Sequence, residues 1–368
     1  MEPVVVVGGG IVGTAIARYL SRRGTPVVLF EQNELGSGTS GESVAVFVWQ
    51  QTNPSRVEHE LRARSWAEYE RLVSDAGISF ERTGALHVAD SDAALDSLRT
   101  AATELRSLGV SASVREPGDL AKYGVDPDAT AGALYTPDDG YLDPSEIGQQ
   151  YVREATAAGA TVETGVEVTD VVVDDGSVAA VETSDGRIPA SAVVNAAGPW
   201  APFVNEMVGV SFPLRHNYGP VLVLQSDERV SLPFVEFEDG HYVRREGDRQ
   251  VFAGRYGASY DDATVVDPDH ARSVDHEFYL AVERRLSERL SIPDLELVNE
   301  WVGLRTITPD GRPFVGETGV DGFFLACGLS GLGVTLAPGV AQFLARLLAD
   351  DPVDGATESY LSPARRVG

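Results

Sequence analysis

The chain opens with a pattern that few folds accommodate, four consecutive valines from Val4 to Val7 followed at once by the run GGGIVG. A continuous β-branched run of this kind is typical of a strand in a parallel sheet that is covered on both faces. Apolar residues then recur with helical spacing from about Ile11 to Arg23, and a second strand pattern runs from Thr25 to Phe30 and ends at Glu31. This order predicts a βαβ unit at the N-terminus.

The glycines at positions 8, 10 and 13 satisfy the GxGxxG pattern of a dinucleotide-binding loop. Glycine permits the tight turn, lets the backbone approach a pyrophosphate, and lets the helix pack closely on the strand. The helix N-terminus presents free N–H groups and a positive dipole to the anion. Glu31 ends the second strand, where a carboxylate accepts both hydroxyls of a ribose and disfavours a 2′-phosphate. The pattern therefore predicts a dinucleotide other than NADP.

A second loop of small residues, GSGTSGES from Gly36 to Ser43, follows this acid, where a simple NAD dehydrogenase has no need of one. Five blocks occur in order along nearly the whole chain: VVVVGGGIVGTAIA, GSGTSGES, VVNAAGPW, WVGLRTITPDGRPFVG and CGLSGLGVTLAPGVA. On these blocks the chain resembles the FAD-dependent amine and amino-acid oxidoreductases, a family that includes D-amino acid oxidase, glycine oxidase and sarcosine oxidase. The resemblance implies FAD as the cofactor.

The resemblance also implies which residues meet FAD. The second loop follows the pyrophosphate toward the isoalloxazine, and the backbone of Val168 meets the adenine. A glycine loop before a helix predicted to begin at Ala337 directs N–H groups at the flavin edge that gains negative charge. The expected FAD-binding residues are Gly8, Gly10, Ile11, Val12, Gly13, Glu31, Gln32, Gly38, Thr39, Ser40, Ser43, Val168, Ala197, Gly198, Trp200, Gly303, Gly331, Leu332, Gly333, Val334 and Thr335.

For the substrate, the resemblance singles out Arg305. In the amino-acid-oxidising members an arginine in this block pairs with the substrate carboxylate and fixes the Cα–H bond against the flavin. Tyr242 falls where the glycine-oxidase-like members place an active-site tyrosine, and Tyr256, one strand later, is a further candidate. The alternatives are a surface or interdomain salt bridge for the arginine and ordinary sheet packing for the tyrosines.

Two departures from the family pattern bear on the chemistry. Members with covalent flavin carry a cysteine where this chain has Gly303, so non-covalent FAD is expected. Sarcosine-type members place a lysine over the flavin, whereas the single lysine here is Lys122. The six histidines show no metal-ligand spacing and read as structural, and the one cysteine, Cys327, excludes a cysteine-rich metal site, so no metal is expected.

The predicted fold class is α/β, a Rossmann-like FAD-binding domain with an inserted antiparallel β-sheet substrate domain. Helices are expected at about 54–76, 93–108, 143–159 and 275–290, short strands at 84–89 and 131–135, and an antiparallel sheet over 214–256. The FAD-binding domain is assigned residues 1–83, 141–212 and 301–368, and the substrate domain residues 84–140 and 213–300.

The charge of the chain indicates the surroundings in which the protein works more than the reaction that it catalyses. The 56 acidic residues outnumber the 29 lysines and arginines, which gives a net charge of −27, and the acids are spread along the sequence. No clustered basic surface is visible for a nucleic acid. No apolar run approaches the roughly 20 residues that span a bilayer, and the first strand pattern leaves no room for a signal peptide. A cytoplasmic enzyme is expected, and the near-absence of lysine favours a high-salt cytoplasm over an ordinary acidic one.

These features predict an oxidoreductase that acts on the C–N bond of a small amine or amino acid, of the D-amino acid or glycine type. Hydride would pass from Cα to flavin N5, the imine would hydrolyse to the oxo acid, and oxygen or an electron carrier would reoxidise the flavin. Two alternatives remain open. One is an FAD-dependent 2-hydroxy-acid dehydrogenase, which calls for a base such as His216 or His241, and the other is a non-catalytic flavin-bound partner protein.

Overall fold

The structure is a computed structural model that describes residues 2–257 and 259–365. Met1 and residues 366–368, the two ends of the predicted FAD-binding domain, lie outside the described residues. Over the described part of the chain, no helix is long and apolar enough to cross a membrane. The helices are α1 (Ile11–Ser21), α2 (Arg56–Ala76), α3 (Asp92–Ser107), α4 (Pro117–Leu120), α5 (Pro144–Ala157), α6 (Ala201–Met207), α7 (His276–Arg289), α8 (Gly333–Leu347) and α9 (Gly355–Leu361).

A six-stranded sheet forms the centre of the first structural unit. Its strands, in spatial order, are β19 (Phe314–Glu317), β20 (Phe323–Cys327), β13 (Ala192–Asn195), β1 (Val4–Val7), β2 (Val27–Glu31) and β9 (Thr161–Thr164). All neighbours pair in parallel except β19 with β20. Val4 and Val6 pack into one hydrophobic cluster and Val5 and Val7 into another. The valine run therefore forms a strand covered on both faces, as its composition predicts.

Helix α8 begins at Gly333, four residues before the predicted start at Ala337, and it contains Pro338. A proline inside a helix cannot donate to the carbonyl four residues earlier, which here belongs to Val334. The hydroxyl of Tyr69 on α2 donates to that carbonyl instead. The buried acceptor is thereby satisfied, and the proline is tolerated within a helix that lies almost entirely in the core.

An eight-stranded sheet forms the centre of the second unit. In spatial order its strands are β18 (Glu296–Ile307), β14 (Arg215–Gln225), β17 (Gln250–Arg255), β16 (His241–Glu246), β15 (Phe234–Phe237), β5 (Ala85–Ala89), β7 (Gly132–Thr136) and β6 (Ser113–Arg115). The pairing is antiparallel, as predicted, except between β15 and β5, which run parallel. One face packs an apolar cluster that includes side chains of α7. We call the opposite face, which carries Tyr242 and Ala85, the inner face.

Two three-stranded sheets complete the fold. One joins β10 (Val168–Asp174), β11 (Ser177–Thr183) and β12 (Gly186–Pro189), and the other joins β3 (Val46–Phe47), β8 (Gly140–Leu142) and β4 (Phe80–Arg82). The predicted domain division remains a prediction, with its boundary between residues 300 and 301 inside β18. β18 belongs to the sheet of the second unit and runs toward the first. The predicted boundary therefore assigns the end of β18, including Arg305, to the FAD-binding domain.

Candidate active site

A long cleft lies along the carboxyl ends of the parallel strands β1, β2, β9, β13 and β20, where ligands bind in open α/β sheets. The space free of protein atoms, including the mouth, is about 1360 Å³. Its walls come from the chain that leaves each strand: residues 7–12, 30–43, 166–168, 196–207 and 326–334. Five separate segments therefore meet in one elongated site.

The glycine turn after β1 is shaped by two close contacts. Gly8 has a φ of +107°, and a Cβ atom there would lie 2.7 Å from the carbonyl oxygen of Ala196. A Cβ on Gly13 would lie 1.9 Å from the carbonyl oxygen of Gly8. No side chain fits at either position, because backbone would have to move. Gly8 thus forms the turn at the cleft, and Gly13 lets α1 pack against that turn without lining the cleft itself.

Glu31 stands beside this turn. Its Oε2 accepts the N–H of Gly9 at 2.7 Å and its Oε1 accepts the N–H of Asn33 at 2.8 Å. The carboxylate lines the cleft and remains partly exposed. Its remaining lone pairs can accept further hydrogen bonds, and its role toward a ribose stays a prediction.

Two helix N-termini open onto the cleft without a capping side chain. Helices α2, α3, α5, α7 and α9 each begin with a serine or aspartate that caps the first turn. Helices α1 and α8 have Gly10 and Leu332 as N-cap residues, which provide no side-chain cap, and neither helix has an acid in its first turn, in a chain with 56 acids. The first N–H of α1 donates to the hydroxyl of Ser40 at 3.0 Å. Two uncapped dipoles directed at one cleft favour an anionic ligand.

Most of the predicted FAD-binding residues line this cleft. Four of them, Gly13, Gly303, Leu332 and Thr335, do not line it. Gly13 packs on Gly8, Gly303 lies against Glu42, and the hydroxyl of Thr335 donates to the carbonyl of Val46. The predicted residues found in the wall are Gly8, Gly10, Ile11, Val12, Glu31, Gln32, Gly38, Thr39, Ser40, Ser43, Val168, Ala197, Gly198, Trp200, Gly331, Gly333 and Val334.

The loop from Gly36 to Ser43 is fastened to β18 just before Arg305. The hydroxyl of Thr39 donates to the carbonyl of Leu304 at 2.6 Å, and the indole N–H of Trp301 donates to the carbonyl of Glu42 at 2.8 Å. Burial raises the pKa of Glu42, while Arg272 and the N–H of Leu304 lower it. The hydrogen bonds of Thr39 and Trp301 fix the position of β18 relative to the Gly36–Ser43 loop.

Arg305 lies where the cleft meets the inner face of the eight-stranded sheet. A Cβ on Gly219 would lie 2.7 Å from its Nη2, so the guanidinium crosses the neighbouring strand β14 at a residue without a side chain. Nη2 donates to the carbonyl of Arg255 on β17 at 3.2 Å, and the guanidinium carbon lies 5.3 Å from the ring centre of Tyr256. Among the described residues no carboxylate forms an ion pair with Arg305, so the predicted salt-bridge alternative is not seen.

Tyr242 and Tyr256 lie beside this arginine. Their ring centres are 5.4 Å apart, and a Cβ on Gly254 would lie 2.4 Å from the hydroxyl of Tyr242. A second glycine therefore lets a second side chain lie flat across the sheet. Burial raises the pKa of Tyr242, while the charge of Arg305 and a hydrogen bond with it lower that pKa. The structure thus brings all three predicted catalytic residues together.

His216 and His241, the candidate bases of the hydroxy-acid alternative, lie on the other face of this sheet. Arg305 pairs in register with Asn217, so the neighbouring His216 points away from it, and its Nδ1 accepts the N–H of Val266 at 3.1 Å. His241 alternates with Tyr242, stacks on Phe278 of α7 and lies 3.1 Å from Asp239. Burial lowers the pKa of both histidines. Neither reaches the substrate side of Arg305.

Sequence reasoning did not identify several residues of the site. Gly219 and Gly254 make room on the sheet, and an isolated glycine inside a strand pattern is a signal for such close approach. Asp269 accepts the indole N–H of Trp200 at 3.1 Å and so ties a segment after β17 to the cleft wall. No local motif marks Asp269. Among the described residues, no group of three or more His, Cys, Asp or Glu side chains could hold a metal ion.

Comparisons with known proteins agree with this geometry. The family described as FAD dependent oxidoreductase (DAO) matches residues 3–347. The mitochondrial sarcosine dehydrogenase of Homo sapiens is 31% identical over 360 residues, or 93% of this chain, but the chain spans only 39% of that protein. Glycine oxidase from Geobacillus kaustophilus is 27% identical over 358 residues, 94% of this chain and 92% of that protein.

Solved structures show the same fold. The crystal structure of glycine oxidase from Geobacillus kaustophilus matches with a TM-score of 0.86 at 25% identity, over 99% of both chains. That of L-proline dehydrogenase from P. horikoshii matches with a TM-score of 0.89 at 24% identity, over 98% of this chain and 96% of that one.

Proposed function

This chain belongs to the FAD dependent oxidoreductase family, and we propose that it oxidises the C–N bond of a small amine or amino acid. The residues present fit FAD: the Gly8 turn leaves no room for a side chain, Glu31 faces the cleft beside it, and two uncapped helix N-termini open onto the same space. The group would be held by the cleft wall described above, and when bound it supplies a two-electron acceptor for hydride.

The observation that carries the proposal is Arg305. It is a cation with no ion-pair partner among the described residues, and it lies between the cleft and the inner face of the sheet. Its guanidinium would bind the substrate carboxylate, because a planar fork of N–H donors matches two carboxylate oxygens. Tyr242 bonds to the guanidinium and the ring of Tyr256 lies beside it, so the arginine is held in place before substrate arrives.

The reaction would need little proton transfer from the protein. The amine enters neutral, the Cα–H bond breaks with loss of hydride, and the nitrogen lone pair forms the C=N bond of an iminium ion. Water adds to the iminium carbon after release, and the nitrogen leaves as ammonium or a protonated amine to give the oxo acid. The positions of His216 and His241 on the opposite face of the sheet fit a reaction without a histidine base and do not favour a 2-hydroxy acid. The names of the sarcosine dehydrogenase and the glycine oxidase described above likewise concern amines and amino acids.

Replacing Arg305 with methionine tests this function. We expect kcat/KM toward carboxylate substrates to fall by about 30-fold to several thousand-fold, because truncating one partner of a desolvated charge pair costs roughly 2–5 kcal/mol. The flavin content should stay near that of the unchanged protein. Arg249→Met removes an exposed arginine from a turn and serves as the control. Full activity of Arg305→Met on amino acids, or loss of its FAD, would refute the assigned role.

The same proposal includes the state of the flavin and its surroundings. FAD is held without a covalent bond, because Gly303 offers no nucleophile at the family's attachment point. Acid precipitation should release the yellow colour into the supernatant, and colour that stays in the pellet would contradict this. Oxygen or an electron carrier accepts the electrons. The protein works in a cytoplasm of high salt, a proposal that rests on the net charge of −27.

A further inference from the structure

The inner face of the eight-stranded sheet continues beyond Arg305 as a row of polar side chains. Tyr242 pairs in register with Glu236 on β15, and Glu236 pairs with His87 on β5. Strand residues in register point to the same face. The row therefore runs from Arg305 past Tyr256 and Tyr242 to Glu236 and His87, with a cation at one end and a carboxylate at the other.

The two ends are far apart for a small substrate. Arg305 on β18 and Glu236 on β15 are separated by four strand steps, roughly 19 Å across the sheet at about 4.8 Å per step, and Arg305 lies further along β18 than Trp301, the residue in register with Glu236. The arginine side chain crosses β14 over Gly219 and reaches the carbonyl of Arg255 on β17. About two strand steps, ~10 Å, remain between the guanidinium and β15. A glycine-sized molecule does not bridge this gap, whereas an amino acid with a long side chain does.

Glu236 and His87 are both partly exposed on the inner face. His87 Nδ1 lies 3.6 Å from Glu236 Oε2, and the two side chains are 15% and 22% exposed although both lie on the inner face. Tyr256, between them and Arg305, is 43% exposed. Burial, followed by the charges of Glu236 and Tyr242, nevertheless raises its pKa well above the ordinary value.

We propose, on the basis of the function proposed above, that the substrate is an amino acid whose side chain ends in a cationic nitrogen. Its α-carboxylate binds Arg305, and the terminal nitrogen donates to the carboxylate of Glu236, which His87 orients. The exposed ring of Tyr256 lies beside the methylene chain between these two ends. Glu236 and His87 are then specificity-determining residues, a role that the sequence, where all histidines read as structural, does not indicate.

Binding of 6-aminohexanoate to the holoenzyme tests this assignment without turnover, since this probe has a carboxylate and a distal amine but no α-amine. Calorimetry should show it binding roughly 10- to 100-fold more tightly than hexanoate, as expected for a charge-assisted hydrogen bond. Glu236→Gln should abolish that difference. Glu228→Gln, which removes the same charge from an exposed turn, should keep it. Arg305→Met should weaken both probes equally.

Turnover of lysine against norleucine, in both enantiomers, supplies the second readout. Glu236→Gln should lower the lysine-to-norleucine ratio of kcat/KM by about tenfold or more. Equal binding of the two probes by the unchanged protein would overturn the proposal. So would an equal loss on lysine and norleucine, which would place Glu236 at the α-amine. If Arg305→Met leaves both probes unaffected while Glu236→Gln behaves as expected, the carboxylate role of Arg305 fails and that of Glu236 stands.

Discussion

Short contiguous segments form the cofactor cleft, whereas side chains brought together from distant parts of the sequence form the polar row on the inner face. Each segment of the cleft comes directly after a parallel strand, and glycines let the chain approach itself. The row combines residues of β18, β16, β15 and β5 with Tyr256, which directly follows β17. The cofactor site is therefore specified by local sequence, whereas the substrate site depends on how the strands are aligned. Substitutions in the cleft should change the affinity for FAD, and substitutions in the row should change kcat/KM for the substrate.

Gly219→Val should give the largest separation. A Cβ at this position would lie 2.7 Å from Nη2 of Arg305, so the guanidinium must leave its place across β14. We expect kcat/KM on carboxylate substrates to fall by about 30-fold to several thousand-fold, comparable to losing the arginine. The FAD content, measured by absorbance after gel filtration, should be unchanged. A variant with full activity would show that Arg305 binds substrate in another conformation.

Glu31→Ala should weaken the binding of FAD and leave the use of substrate nearly unchanged. Loss of a charge-assisted ribose pair costs about 1.5–3 kcal/mol, so the Kd for FAD should rise by about 10- to 150-fold. The kcat at saturating FAD should change little, because Glu31 lies at the end of β2 and not on the eight-stranded sheet that carries Arg305. Titration of the apoprotein with FAD measures this, and Glu34→Ala, an exposed acid three residues on, is the control. Equal affinity in both variants would mean that Glu31 does not meet the ribose.

Asp139 tests the segment that follows β3, in which Val48 packs against the inner-face cluster of Tyr242. It is fully buried, accepts the N–H groups of Trp49 and Gln50 and the hydroxyl of Thr136, and burial raises its pKa to about 7. The native carboxyl keeps its proton between pH 4 and 7 while the unfolded one loses it, so the free energy of unfolding falls as pH rises through this range. Between pH 5.5 and 8 the fall should exceed that of Asp139→Asn by roughly 2 kcal/mol in urea unfolding. Parallel pH profiles of the two proteins would show that Asp139 ionises normally.

Added salt should stabilise the whole protein, with no difference between the cleft and the polar row. With a net charge of −27, screening relieves self-repulsion of the folded state. The Tm should rise by roughly 5–10 °C between 0.1 and 2 M KCl at pH 7.5. The rise should be smaller at pH 5, close to the isoelectric point of about 4.5. A Tm independent of KCl at pH 7.5 would favour an ordinary acidic protein.

The sequence predicts the cleft better than the row for a physical reason. Local sequence is enough to predict the geometry of the GxGxxG turn, of Glu31 and of the Gly36–Ser43 loop, because a turn or a helix start depends on neighbours in the chain. Arg305 and the tyrosines were identified by family resemblance, but their contacts depend on Gly219 and Gly254, whose positions opposite them follow only from strand register. The early start of α8 was missed because the Tyr69 hydroxyl that compensates for Pro338 lies on another helix.

The most direct test of the central claim, oxidation of a substrate held by its carboxylate, is anaerobic mixing of the holoenzyme with matched pairs of compounds. Each pair is an amino acid and the amine left when its carboxylate is removed, with the amino acids drawn from D- and L-forms, glycine, proline and sarcosine. The account predicts that the yellow flavin absorbance bleaches with at least one amino acid and far more slowly with its amine. Bleaching by none of the amino acids, or equally fast bleaching by the paired amine, would contradict it.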